Sequence, residues 1–162
     1  MVMVRPATQE DIGFLVRVLL LANIERYQQQ EGWNTEAFLE SVHLSTRDEV
    51  QGQVQDSITY VIASQGQDVG RLRVVRTRNH LVIAGIQILP EHQKKGIGST
   101  VIQSLLHEGQ ARHLPVTLEV EKDNPHAKRL YLRLGFVMTG ERGDRFCMAA
   151  PTGPKAQQYV VG

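Results

Sequence analysis

The stretch Ile86-Gln87-Ile88-Leu89-Pro90-Glu91-His92-Gln93-Lys94-Lys95-Gly96-Ile97-Gly98-Ser99 decides the fold. Its first four residues close an apolar run, His80 to Leu89, that reads as a strand, and Pro90 stops it. Its last residues open a helix whose Ile97, Val101, Ile102, Leu105 and Leu106 form an apolar stripe at helical spacing. A helix N-terminus carries amides without intrahelical partners and a partial positive charge, and glycines let a phosphate approach those amides closely. Lys94 and Lys95 add mobile positive charge. The same letters also suit a plain strand-to-helix turn with solvated lysines. Two common nucleotide motifs are excluded. A P-loop needs a glycine, four residues, then Gly-Lys-Ser/Thr, and no such segment exists. A dinucleotide fingerprint from Gly96 and Gly98 needs a third glycine where Val101 stands, and the strands before it are hairpin-linked rather than part of a βαβ unit. The expected ligand is an unusual phosphate carrier.

Upstream, Val2–Val4 reads as a first strand, and Thr8 with Asp11 three residues on starts a helix. Ile12, Leu15, Val16, Leu19 and Leu20 share one face of that helix, which is expected to end near Tyr27. A second helix is expected after Asn34, carrying Phe38, Leu39 and Val42; Thr46–Ser57 is polar and ambiguous. Ile58–Ala63 and Val69–Val75 are β-branched runs separated by Gln65, Gly66 and Gln67, a hairpin signal. Downstream, Pro115–Val120 reads as a strand. Asn124 before Pro125 starts a helix that repeats apolar residues at Ala127, Leu130, Tyr131 and Leu134 and stops at Gly135. Two last strands, Phe136–Glu141 and Arg145–Ala149, complete a mixed α/β sheet with helices on its faces.

The 162 residues suit one domain, expected over 1–150, followed by a tail, 151–162, that is weakly ordered or docked. With 41% apolar and 22% charged residues the chain has a folded, not a disordered, composition. The 18 basic residues nearly balance the 17 acidic ones, so no general field attracts nucleic acid or an anionic membrane, and neither is expected as a partner. The single cysteine, Cys147, excludes an internal disulfide and a multi-cysteine zinc site. It suits a reducing compartment. No leader-like segment opens the chain and no apolar run would cross a bilayer, so the expected location is cytoplasmic. His43, His80, His92, His107, His113 and His126 pair with no carboxylate at metal-ligand spacing, and no metal is expected.

The second informative stretch runs Leu118-Glu119-Val120-Glu121-Lys122-Asp123-Asn124-Pro125, then Ala127, Leu130, Tyr131, Leu134, Gly135 and Phe136. Gln-x-x-Gly-x-Gly after an Ile-x-Ile-x-Pro strand, followed by Asn-x-x-Ala-x-x-Leu-Tyr-x-x-Leu-Gly-Phe after the next strand, resembles the GNAT superfamily of N-acetyltransferases. Val-Arg-Pro-Ala-Thr before the first helix is similar to it as well, so the resemblance spans residues 2 to about 149. It implies a GNAT-like mixed, mainly antiparallel, twisted sheet of about six to seven strands flanked by about four helices. It also implies acetyl-CoA as cosubstrate and direct attack by a primary amine in a ternary complex.

Site roles follow from the same resemblance. Backbone groups at Ile86, Gln87 and Ile88 would pair with the pantetheine arm as an added strand, and the Ile88 amide would polarise the thioester carbonyl. The pyrophosphate would lie on Gln93, Lys94, Lys95, Gly96, Ile97, Gly98 and Ser99. Asn124 matches an asparagine that bonds the coenzyme arm; by its position it is equally a helix cap. Tyr131 matches the general acid that protonates the departing thiolate, or is a core aromatic of the helix stripe. Glu119, five residues before Asn124, resembles the proton acceptor of ribosomal-protein N-terminal acetyltransferases, with Glu121 on the same face as a substitute; its alternative is an exposed strand carboxylate. Tyr27 and Trp33 lie in the segment that shapes the acceptor site in this family, although aromatic packing accounts for them too. The acceptor, a small-molecule or peptide amine, carries no motif. The other functional class is a non-catalytic acyl-CoA sensor of the same fold. The resemblance suits a monomer or a homodimer.

Overall fold

The structure, a computed structural model, describes residues 1–151; the expected C-terminal tail lies outside the described residues apart from Pro151. The chain runs β1 (Val2–Pro6), α1 (Ile12–Leu21), α2 (Ile24–Tyr27), α3 (Thr35–Val50), β2 (Ser57–Ser64), β3 (Gln67–Arg76), β4 (Leu81–Ile88), α4 (Ile97–Arg112), β5 (Val116–Glu121), α5 (Pro125–Arg133), β6 (Val137–Arg142) and β7 (Arg145–Ala150). The strands form one seven-stranded open sheet in the order β1-β2-β3-β4-β5-β7-β6. β1 runs antiparallel to β2, β7 runs antiparallel to β5 and β6, and β4 and β5 are parallel. This is the mixed, mainly antiparallel sheet expected from the sequence.

By contact density the described residues gather into two compact units: residues 1–74 with 85–98, and residues 75–84 with those from 99 on. In the first, Leu15, Val18, Val61, Ile62, Val69 and Val74 are fully buried. Leu15 and Val18 lie three apart on α1 with Asp11 one turn before them, so the buried stripe is centred on 11, 15 and 18, and Leu19 and Leu20 fall at its margin. The β2–β3 hairpin closes on Gln65 and Gly66, whose φ angles of 52° and 80° suit the two-residue turn that matches strand twist. In the second unit Leu81, Ile102, Val116, Phe136 and Met148 are almost inaccessible to solvent.

One expected boundary moves, and the ambiguous stretch resolves. The first helix does not continue to Tyr27: α1 stops at Leu21, Asn23 leaves helical geometry, and α2 is a separate short turn. The polar stretch from Thr46 continues α3 to Val50 because Thr46 and Glu49 occupy the buried side of that helix.

The chain's start is fixed by Arg5, which donates from Nη1 and Nη2 to the two Asp11 oxygens at 2.8 and 2.9 Å, while the Thr8 amide donates to Asp11 at 2.8 Å. The Arg5 hydrogen bonds, helped by the Thr8 amide, outweigh burial and hold the Asp11 carboxyl at about 2, below its ordinary 3.8. A depressed carboxylate stabilises the fold above its unfolded pKa and loses that contribution as pH falls through the folded one. The native protein is therefore expected to lose on the order of 1–2 kcal/mol of stability between about pH 4 and pH 2 from this group. Asp11→Asn should remove that part of the slope in urea titrations run across the same pH range.

Candidate active site

In the first unit, Ile86–Ile88 and Gln93–Gly98, expected on the donor side, lie on one continuous piece of chain. The parallel β4–β5 ladder comprises Leu81↔Val116, Val82↔Thr117 and Ile83↔Leu118, so Ile86, Gln87 and Ile88 lie past its end. All three are partly exposed. After Leu89, itself buried, a 3-10 turn over Pro90–His92 reverses the chain. The Gln93 side chain closes it by donating to the Ile88 carbonyl at 2.9 Å. That bond makes Gln93 a brace of the turn, a role its letter in the motif does not disclose.

Lys94 and Gly96 both adopt left-handed backbone, with φ of 62° and 79°. Such alternation turns successive amides toward one side, the geometry of an anion-binding nest, and brings them to the start of α4. Ile97 is buried and anchors the helix, whereas Lys94, Lys95 and Gly96 are exposed. A Cβ built on Gly96 or on Gly98 would meet nothing within 4 Å. Space therefore remains in front of both glycines, which fits an anionic group approaching the backbone. Ser99 lies one residue further along the first turn of α4.

In the second unit Glu119 and Tyr131 sit in contrasting surroundings. Along β5, Val116, Leu118 and Val120 are buried while Thr117, Glu119 and Glu121 are half-buried, so the carboxylates share the face opposite the aliphatic residues, as the alternation predicts. Glu119 pairs across the strands with Cys147. Arg142 donates to its Oε1 at 2.9 Å, and the Cys147 thiol lies 3.8 Å from its Oε2. Neither partner was visible in the sequence, because both reach Glu119 through the β6–β7 hairpin.

Asn124 caps α5, its Oδ1 accepting from the Ala127 amide at 3.3 Å. At the other end Gly135, with φ of 102°, lets the Phe136 amide donate back to the Tyr131 carbonyl at 3.1 Å. That closing turn buries Phe136 and sets its ring edge-on to Tyr131, with centroids 5.9 Å apart. Burial pushes the Tyr131 phenol up to about 12. Among the described residues its hydroxyl has no hydrogen-bond partner. Tyr131 is thus both a core aromatic and a neutral, uncommitted donor.

Tyr27 and Trp33 pack on each other, with ring centroids 5.1 Å apart, and each lies 5.2 Å from Phe38. Their faces are largely spent within this trio. Among the described residues no three His, Cys, Asp or Glu side chains gather into a metal-binding group, and no helix is long and apolar enough to cross a membrane.

Comparison with known proteins places the chain among the acyl-CoA-dependent N-acyltransferases. Residues 20–136 match the acetyltransferase (GNAT) family, and the chain belongs to that family. It is 28% identical over 149 residues to spermidine N(1)-acetyltransferase of Escherichia coli (strain K12), covering 90% of this chain and 77% of that protein. Its fold is similar to that of PaiA N-acetyltransferase from Thermoplasma acidophilum in complex with coenzyme A, with a TM-score of 0.75 at 16% identity over 93% of this chain and 99% of the other. It is also similar to spermidine N-acetyltransferase from Vibrio cholerae in complex with CoA and spermine, with a TM-score of 0.65 at 22% identity over 98% of each chain.

Gly96→Ala is expected to cost about 1–2 kcal/mol, because an L side chain resists left-handed backbone. Gly98→Ala, whose added carbon meets open space inside a helix, should stay within about 0.5 kcal/mol of the native protein or exceed it. Thermal unfolding of the two variants side by side checks the contrast.

Proposed function

We propose that the protein transfers an acetyl group from acetyl-CoA to a primary amine, by direct attack in a ternary complex formed by a single domain over residues 1–150. Tyr131 carries this reading: a buried phenol that keeps its proton to about 12, with a hydroxyl that no described residue engages. The left-handed turn at Lys94 and Gly96 supports the donor side. Main-chain groups of Ile86, Gln87 and Ile88 hold the pantetheine arm as an added strand, and the Ile88 amide faces the thioester oxygen, where negative charge develops. Backbone amides over Gln93–Ser99 take the pyrophosphate, with Lys94 and Lys95 above them, and Asn124 bonds the coenzyme arm while it caps α5.

The chemistry balances through two side chains. An alkyl amine is protonated at neutral pH and attacks only when neutral, so a base must remove its proton. Glu119 takes that proton once the amine displaces Arg142, whose side chain is 77% exposed and therefore easily moved. The nitrogen–carbon bond forms and the carbon–sulfur bond breaks; the Tyr131 hydroxyl protonates the departing thiolate, and the second proton lost from nitrogen restores the phenol, leaving a neutral amide and the coenzyme A thiol. A phenol that binds its proton so tightly acts first by donating a hydrogen bond to the growing thiolate charge. Glu121, on the same face of β5, is the substitute base.

The relatives act on spermidine by name, so aliphatic polyamines come first among acceptors, followed by amino acids and peptide N-termini. The balanced charge and the reducing setting that suits Cys147 accord with a cytoplasmic enzyme acting on soluble amines.

A panel of such amines, scored for release of free thiol from acetyl-CoA, tests catalysis and acceptor class together. Thiol release with at least one amine is expected. Tyr131→Phe should lower kcat by about 10²-fold or more while coenzyme A still binds, and Glu119→Gln should lower it at neutral pH with partial recovery at higher pH. Coenzyme A binding by calorimetry without turnover on any amine would instead establish a sensor. Gly98→Ala should weaken coenzyme A binding about tenfold, or ~1.4 kcal/mol, by filling the space in front of the nest.

A further inference from the structure

Arg71 stands near the middle of β3 and is only 5% exposed, an unusual place for a full positive charge. Its Nη2 lies 3.1 Å from Glu49 Oε2 on α3, and its Nη1 donates to Gln87 Oε1 on β4 at 2.9 Å. Glu49 also lies 3.5 Å from Arg73 Nε and 3.5 Å from the Thr59 hydroxyl. One carboxylate thus faces two guanidinium groups, and burial draws the Arg71 pKa down against the pull of Glu49. Thr46 Oγ1, Arg71 Nε and Arg73 Nε are buried with no hydrogen-bond partner among the described residues.

The neighbouring backbone is shaped around this group. A Cβ on Gly85 would lie 2.6 Å from Arg71 Nη1, so only glycine leaves the guanidinium its place. A Cβ on Gly70 would lie 2.5 Å from the Gln87 carbonyl oxygen, so β3 and β4 approach each other closely at this level. A guanidinium only donates, so the amide oxygen of Gln87 must be the atom that faces it, and the orientation of that side chain is fixed.

A buried ion pair is a poor source of stability, since apolar residues of the same volume often serve as well or better. A role in placing something explains the cluster more directly. We propose that Arg71 is a positioning residue for acetyl-donor binding: clamped by Glu49, it holds Gln87 and the backbone from Gly85 to Ile88 in the conformation that receives the thioester arm. This rests on the reading of Ile86–Ile88 given under Proposed function.

Arg71→Met alone leaves Glu49 to Arg73, so the test uses two gentler perturbations. Glu49→Gln with Arg71→Met removes both charges together, and Gly85→Ala pushes the guanidinium aside while keeping it. Coenzyme A affinity by calorimetry, KM for acetyl-CoA and kcat are measured beside the melting temperature. In both variants the dissociation constant and KM for acetyl-CoA should rise about tenfold, with a smaller change in KM for the amine. Gln87→Glu, which still offers oxygen to Arg71, should lose less donor affinity than Gln87→Leu, and this pair decides the matter should the double variant, in which Arg73 keeps its charge, fail to fold. Folded variants with native donor affinity and KM, however low their melting temperature, would overturn the proposal and leave the donor reading standing. Absence of coenzyme A binding by the native protein would overturn both.

Discussion

A short reversal of direction after Leu89, pinned at both ends, is the constraint on which the proposed donor site depends. The strand β4 ends, one 3-10 turn intervenes, and a helix begins at Ile97; Leu89 and Ile97 are both buried, so the two ends of the turn are pinned by the hydrophobic effect. Between these anchors the chain has no freedom to relax into ordinary geometry. Lys94 accepts a left-handed backbone that a side chain normally resists, and Gln93 gives up its amide to the Ile88 carbonyl. Strain of this kind persists only where its surroundings enforce it. The outcome is a left-handed turn at Lys94 and Gly96 set directly ahead of a sixteen-residue helix, with open space in front of Gly96 and Gly98.

The second unit solves a different problem, which is to bury a phenol so that it keeps its proton. Tyr131 is placed by the ends of its own helix, since Asn124 fixes where α5 starts and Gly135 fixes where it stops. Phe136 then packs against the ring and removes water from it. Glu119 is held from two directions by residues of the following hairpin, one charged and one a thiol. Environment separates the two groups: low polarity preserves one proton, and a half-exposed strand face keeps the other group reachable.

Local chemistry was legible and long-range polarity was not. Asn124, Pro125 and Gly135 announce the limits of α5 because capping depends on adjacent residues alone. The hairpin at Gln65 and Gly66 and the turn before α4 were readable for the same reason. The break after Leu21 escaped detection because apolar letters continue through Ala22 and Ile24, and nothing as strong as proline marks it. Arg71 and Arg73 alternate with Leu72 and Val74, which is how a solvent-facing strand side looks. α3 covers that side instead. The available clue lay in α3 itself, where Val42 is followed at helical spacing by Thr46 and Glu49, polar residues continuing an apolar stripe. Such a continuation asks for a charged partner from elsewhere, but sequence order alone does not say which.

The aromatic trio of Tyr27, Trp33 and Phe38 has an optical consequence. Trp33 is the chain's sole tryptophan, and its ring lies against tyrosine on one side while its indole nitrogen donates to Thr35 at 3.1 Å. Tryptophan emission from this protein therefore originates in a single indole at the junction of α2 and α3, with a tyrosine close enough to pass excitation to it. Any change of packing at that junction is encoded in the colour and lifetime of one dye the chain already carries.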